Sequence, residues 1–166
     1  MAVRPVLHLP HACLKQRSEP VGTIGDDARA LATDLVDTMH SRPACVGLAA
    51  PQIGVGLRAF VVDVSGHTKA RSCHGEVVLF DPELLVEEEP VLAREGCLSV
   101  PDFTGDVLRA GRVVVRGVAP TGDVRTIEAD AFEARALLHE IDHLDGLLFL
   151  DRVASHASVF RRRVYR

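Results

Sequence analysis

The sequence predicts an α+β fold, with a mixed or antiparallel β-sheet packed around a central helix near the C-terminus. Three observations predict it. Helical periodicity appears in two stretches, residues 25–41 and 130–145. Between them, β-branched runs follow one another instead of alternating with helices, which disfavours a doubly wound sheet. The second helix is apolar on both sides, so it crosses the core rather than lying on the surface. At 166 residues with 47% apolar content, the chain suits a single domain over residues 1–166 built on one core.

In the first helix, Ala28, Leu31, Ala32, Leu35, Val36 and Met39 recur at helical spacing. Asp26 and Asp27 suit its N-terminus, and Pro43 stops it. Residues 58–64 (RAFVVDV) and 76–80 read as strands, the second ended by Asp81-Pro82. Residues 111–119 and 124–128 flank Pro120-Thr121-Gly122-Asp123 and form a hairpin. The second helix starts at Asp130, which with Glu133 has the pattern of a capping box, and Gly146 stands where a helix ends.

Charge and targeting exclude several classes of function. Nineteen basic against 23 acidic residues leave a net charge of −4, which argues against dedicated nucleic-acid binding. No run of 18 apolar residues exists, so no membrane helix is expected. The N-terminus has no apolar h-region, and the expected compartment is the cytoplasm. The four cysteines, at 13, 45, 73 and 97, form no close pair, so a structural zinc knuckle is absent and reduced thiols are expected.

His139-Glu140-Ile141-Asp142-His143 carries the most chemical information. Residues four apart share a helix face, so two imidazoles can bind one metal ion, with Glu140 beside them to move a proton of water. The competing reading is a surface helix that happens to carry two histidines. The central Glu and the apolar surroundings speak against it. A catalytic metal usually takes a third protein ligand. The extended zinc-protease pattern would need His where Phe149 stands, and no Glu follows Glu140, so an ordinary metalloprotease is disfavoured. The third ligand therefore comes from upstream, where four cysteines compete. Cys97 has Gly96 before it for close backbone approach and Pro101 after it to stiffen the loop, whereas Cys13, Cys45 and Cys73 read as small buried hydrophobes or loop residues.

Three segments together are diagnostic. Val46-Gly47-Leu48-Ala49-Ala50-Pro51-Gln52, Glu95-Gly96-Cys97-Leu98-Ser99 and His139-Glu140-Ile141-Asp142-His143 resemble the three motifs of the peptide deformylases, in the same order. The resemblance runs from about residue 6 to about residue 152. It implies a metallohydrolase that removes the formyl group from N-formylmethionine at the start of nascent chains, releasing formate. Carried over by position, it makes Cys97, His139 and His143 the metal ligands and Glu140 the general acid/base. It makes Gln52 and the Leu98 backbone N–H the oxyanion donors. It places Val46, Gly47, Phe132 and Ala136 against the substrate. The implied metal is Fe²⁺, with Zn²⁺, Ni²⁺ and Co²⁺ as occupants the same ligands accept. Two other readings stand beside it: a related hydrolase with a different N-acyl substrate, and a catalytically weak metal-binding relative. The intact set Gln52, Cys97, His139, Glu140 and His143 argues against the latter, because a binding module has no use for Glu140 or Gln52.

Three departures from the family pattern and the tail set further expectations. Cys45 stands where the first motif opens with Gly, so strain is expected at Cys45 if that position needs positive φ. Thr104 stands where many members carry Arg, which is expected to leave Glu95 without an ion-pair partner. Asp81-Pro82 replaces the usual Asn-Pro, without an evident role. Arg109 is expected to pair with Asp142 behind the metal helix. The last eight residues, 159–166, carry four Arg and no acid. They read as a solvated segment or short helix, or else as a basic contact with ribosomal RNA.

Overall fold

A computed structural model describes residues 2–163. Helix α1 spans Asp26–His40; strands β1 Gly47–Ala49 and β2 Ala59–Val62 follow. Next come the long strands β3 Val77–Cys97 and β4 Val100–Val118, then β5 Val124–Asp130, helix α2 Ala131–Leu144 and a short β6 Val159–Arg161. One antiparallel sheet has the order β1-β2-β3-β4-β5, and β6 pairs with β4. The α+β class stands. None of the helices among the described residues is long and apolar enough to cross a membrane.

The two helices lie on opposite faces of the same strands. Side chains alternate along a strand. Ala59, Val61, Val78 and Phe80 pack with α1 through Leu31, Leu35 and Met39. Phe60, Val62, Val77 and Leu79 pack with α2 through Ala134, Leu137, Ile141 and Leu144. This explains why β2 reads as an unbroken apolar run: both of its faces are covered. Nearly all of α2 from Glu133 to Leu144 is buried, so the helix runs through the core as its pattern predicts.

Strands β3 and β4 extend well beyond the apolar runs at 76–80 and 111–119. Asp81-Pro82 does not end β3; the register shifts there, Asp81 takes φ 47°, and the strand continues. The Asp81 carboxylate accepts the Val21 and Gly22 N–H groups at 2.7 and 2.8 Å, tying the N-terminal segment to the sheet. The continuation is amphipathic, held by cross-strand pairs such as Arg116–Glu83 at 2.7 Å. At the far tip the register shifts again between Gly96 and Cys97, just before the Leu98–Ser99 turn. This bulge carries Cys97 to α2.

Two local expectations are corrected. The Asp130–Glu133 capping box does not form, because Ala131 at φ 47° turns the chain away from capping geometry. Asp130 instead accepts the Ser72 N–H at 2.9 Å, and Glu133 accepts the His74 N–H at 2.8 Å. Nor do residues 159–161 of the tail form a short helix: Val159–Arg161 pairs with residues 103–105 of β4, while Phe160 and Arg161 stay exposed as a solvated segment would. Residues 164–166 of the tail lie outside the described residues.

Candidate metal centre and active site

The centre is assembled from three elements. His139 and His143 project from one face of α2, and the β3 tip brings Cys97 to meet them. Their ligand atoms lie within 4.8 Å of one another. Cys97 Sγ stands 3.3 Å from His143 Nε2, close to the spacing of about 3.5 Å that tetrahedral coordination of sulfur and nitrogen requires. Burial would push the Cys97 thiol up, but the His143 and His139 imidazoles outweigh it and hold the thiol well below its ordinary range. A thiolate between two imidazoles is the donor set of a divalent metal, which would replace the protons these groups otherwise share. The residues fit such an ion.

A buried ionic cluster fixes this candidate ligand group from behind. Glu95 Oε2 accepts His139 Nδ1 at 3.0 Å, which leaves Nε2 facing the centre. Arg109 Nε and Arg135 Nη1 donate to Glu95 Oε1 at 2.5 and 2.7 Å. Burial opposes ionisation of Glu95, but its bonds to His139 and Arg109 prevail and lower its pKa to about 2. Arg109 also reaches Asp142 Oδ2 at 2.7 Å, the pairing expected from the sequence. The expectation that Thr104 leaves Glu95 unpaired is overturned: two arginines and a histidine converge on it. Arg135 and His139 sit four residues apart on α2, so both reach this one carboxylate.

Gln52 is oriented just as tightly. Its Oε1 accepts the Ala49 N–H at 2.9 Å, which turns Nε2 toward Ser99 Oγ at 3.1 Å and Cys97 Sγ at 3.6 Å. Glu140 is buried beside the imidazoles, and burial raises its carboxyl to about 7 against their opposing charge. Its Oε2 has no hydrogen-bond partner among the described residues. Gly47 backs onto this carboxylate so closely that any Cβ at position 47 would collide with it.

Above the centre opens a cavity of about 460 Å³ lined by Val46, Gly47, Leu98, Phe132 and Ala136, among others. Phe132 is held by His67, whose ring stacks on it at 3.8 Å. The strain expected at Cys45 is absent: positive φ falls on Ala44 instead, at 58°. The Cys45 thiol donates to Gly47 O at 3.1 Å, and burial raises its pKa to about 11.

The polypeptide deformylase family model matches residues 3–158. The chain belongs to the peptide deformylase family. A peptide deformylase of Thermodesulfovibrio yellowstonii is 39% identical over 100% of this chain and 96% of its own length. That of Rhizobium meliloti is 41% identical over 93% of this chain and 87% of its own. The crystal structure of the Ehrlichia chaffeensis deformylase superposes with a TM-score of 0.87 at 32% identity, covering 94% of this chain and 90% of that one. This deformylase family uses a divalent metal to remove the N-formyl group from nascent peptides, and the Cys97–His139–His143 group can hold that metal.

All ten site residues expected from the sequence gather at this one centre. The sequence reading missed Arg135, Ser99 and His67, and it assigned Glu95 no hold on a ligand. Arg135 carried a signal, standing one helical turn before His139. His67 carried none, because its partner Phe132 lies 65 residues away.

Proposed function

We propose that this deformylase works through Cys97, His139 and His143 as metal ligands, Glu140 as proton carrier, and Gln52 with the Leu98 N–H as oxyanion donors. The observation that carries this is the convergence of three ligand atoms within 4.8 Å beside a cavity that Gly47, Gln52 and Glu140 also line. A divalent ion there supplies Lewis-acid chemistry, making water nucleophilic near neutral pH and polarising a carbonyl. We assign Fe²⁺ to the site from the family resemblance; the ligands themselves also suit Zn²⁺, Ni²⁺ and Co²⁺.

Glu140 takes a proton from the attacking water, whose oxygen bonds to the formyl carbon. A carboxyl near 7 suits a group that must both accept and return a proton. Negative charge develops on the formyl oxygen, where the Gln52 amide and the Leu98 N–H meet it; such a donor contributes about 2.7–4 kcal/mol. Glu140 then delivers the proton to the amine nitrogen as the C–N bond breaks. Formate and a free amino terminus leave. Val46, Phe132 and Ala136 hold the methionine side chain, and Gly47 presents its backbone to the peptide.

Formate release from formyl-Met-Ala-Ser by protein loaded anaerobically with Fe²⁺ tests the reading. Glu140→Ala is expected to lower kcat by about 10²–10⁴. Wild-type turnover in that variant would remove Glu140 from the chemistry. Formylated nascent chains place the reaction in the cytoplasm. Exposed Arg161 and Arg163 offer a contact to ribosomal RNA. If R161E/R163E co-sediments with ribosomes at low salt as wild type does, that contact is wrong.

A further inference from the structure

We propose that Arg162, at the rim of the cavity beside the ion-paired Arg94, forms a carboxylate-binding subsite that reads an acidic group on the formylated peptide beyond its first residue. The proposal rests on the deformylase reading and adds a substrate preference to it. Both arginines line the same cavity as Gly47, Cys97 and Glu140. Arg94 lies three residues before Cys97 on β3. Arg162 follows β6, and its backbone is pinned by donating its N–H to Asp102 O at 2.8 Å. The pairing of β6 with β4 thus delivers a guanidinium to the rim.

The placement of Arg162 is specific. Its guanidinium stands directly over Gly96, where any Cβ would collide with it, and the Thr104 methyl shares that contact. Gly96 precedes the ligand Cys97, so the charge sits one residue from the metal centre. A peptide extending at about 3.3 Å per residue from the centre passes it with its second or third residue. Arg94 is braced beside it, with Cζ 3.8 Å above the Phe160 ring and Nε 2.5 Å from Asp106 Oδ1.

The charge balance at the rim favours an anion. Among the described residues no carboxylate lies within ion-pairing distance of Arg162, whereas Arg94 and Arg135 each have one and Arg109 has two. Of the two acids lining the cavity, Glu95 is occupied by Arg109, Arg135 and His139, and Glu140 is buried beside the imidazoles. The planar guanidinium fork matches a carboxylate. That carboxylate is supplied either by an acidic side chain or by the C-terminus of a short peptide.

Three substrates separate these sources: formyl-Met-Ala-Ser with a free carboxylate, its C-terminal amide, and formyl-Met-Ala-Glu-amide. In wild type kcat/KM is expected to be about three- to tenfold higher for the carboxylate-bearing peptides than for the amide, the difference lying in KM. Arg162→Gln is expected to bring the ratio to about one, Arg162→Lys to restore part of it, and 0.5 M salt to suppress it in wild type. A wild-type ratio in Arg162→Gln overturns the subsite. So does an equal fall in kcat for all three peptides, which would make Arg162 a mere support for the Gly96–Cys97 turn. A preference for the free carboxylate alone identifies chain-end recognition; a preference for the glutamyl amide identifies side-chain recognition. Turnover of the neutral amide by wild type tests the deformylase reading separately. Binding of unformylated Met-Ala-Glu-amide by calorimetry, weaker in Arg162→Gln, reads the subsite without any turnover.

Discussion

Gly47 shows how little room the centre leaves for an added atom. A methyl group there runs into the carboxylate of Glu140, a buried residue at the wall of the cavity. Gly47→Ala is therefore expected to displace the carboxylate and lower kcat by about a hundredfold, the scale of a 1 Å misplacement of a reacting group. Circular dichroism should be unchanged, and formate release checks the loss. Cys45 illustrates the opposite case. Its departure from the family motif is harmless to the backbone because the left-handed residue is its neighbour Ala44.

At the scale of elements, α2 is held by ions as well as by apolar packing. Arg109 joins Glu95 on β3 to Asp142 on α2, with all three side chains buried. Removing one member of such a group costs about 3–5 kcal/mol. Arg135 and Arg152 still hold the two carboxylates, so Arg109→Met is expected near 3 kcal/mol, measured by urea unfolding. A second tie links Asp151, after α2, to Lys15 near the N-terminus at 2.5 Å. Burial raises the Asp151 pKa, but its bonds to Lys15 and the Leu148 N–H prevail and lower it. A depressed carboxylate stabilises the fold above its unfolded pKa, and that contribution fades as pH falls through the folded value. Urea midpoints should drop less between pH 6 and pH 3 in Asp151→Asn than in wild type. Elements differ in how readable they were. Both helices carry their period in their own residues. The outer halves of β3 and β4 do not: residues 83–95 mix acidic and apolar side chains without a clean alternation and are mostly exposed, and they become strand because each segment finds a partner across the hairpin.

For the whole molecule, the metal is expected to contribute stability as well as chemistry. The side chains proposed to hold it, Cys97, His139 and His143, come from β3 and α2, so an ion bound there favours the folded chain over the unfolded one. At a free-metal concentration a hundredfold above Kd, the gain is about 2.7 kcal/mol. For a chain of this size that corresponds to roughly 5–10 °C in Tm. Scanning calorimetry of chelated and metal-loaded protein should show this rise, and Cys97→Ser should shrink it.

The sequence by itself determined the chemistry. The His139–Glu140–His143 spacing converts directly into geometry, because a helix places residues four apart on one face, and three ordered motifs carried the family. It also determined the class of fold, since both helices and the inner strands declare themselves through local period. Only the tertiary structure decided what surrounds the ligands. Glu95 gained Arg109 and Arg135, the capping residues of α2 went to the Ser72–His74 loop, and Val159–Arg161 of the arginine tail became an edge strand that brings Arg162 to the cavity. The physical reason is range. Helical period and motif spacing are properties of neighbouring residues, whereas ion pairing and strand addition join residues tens of positions apart, and only the packed chain brings those together.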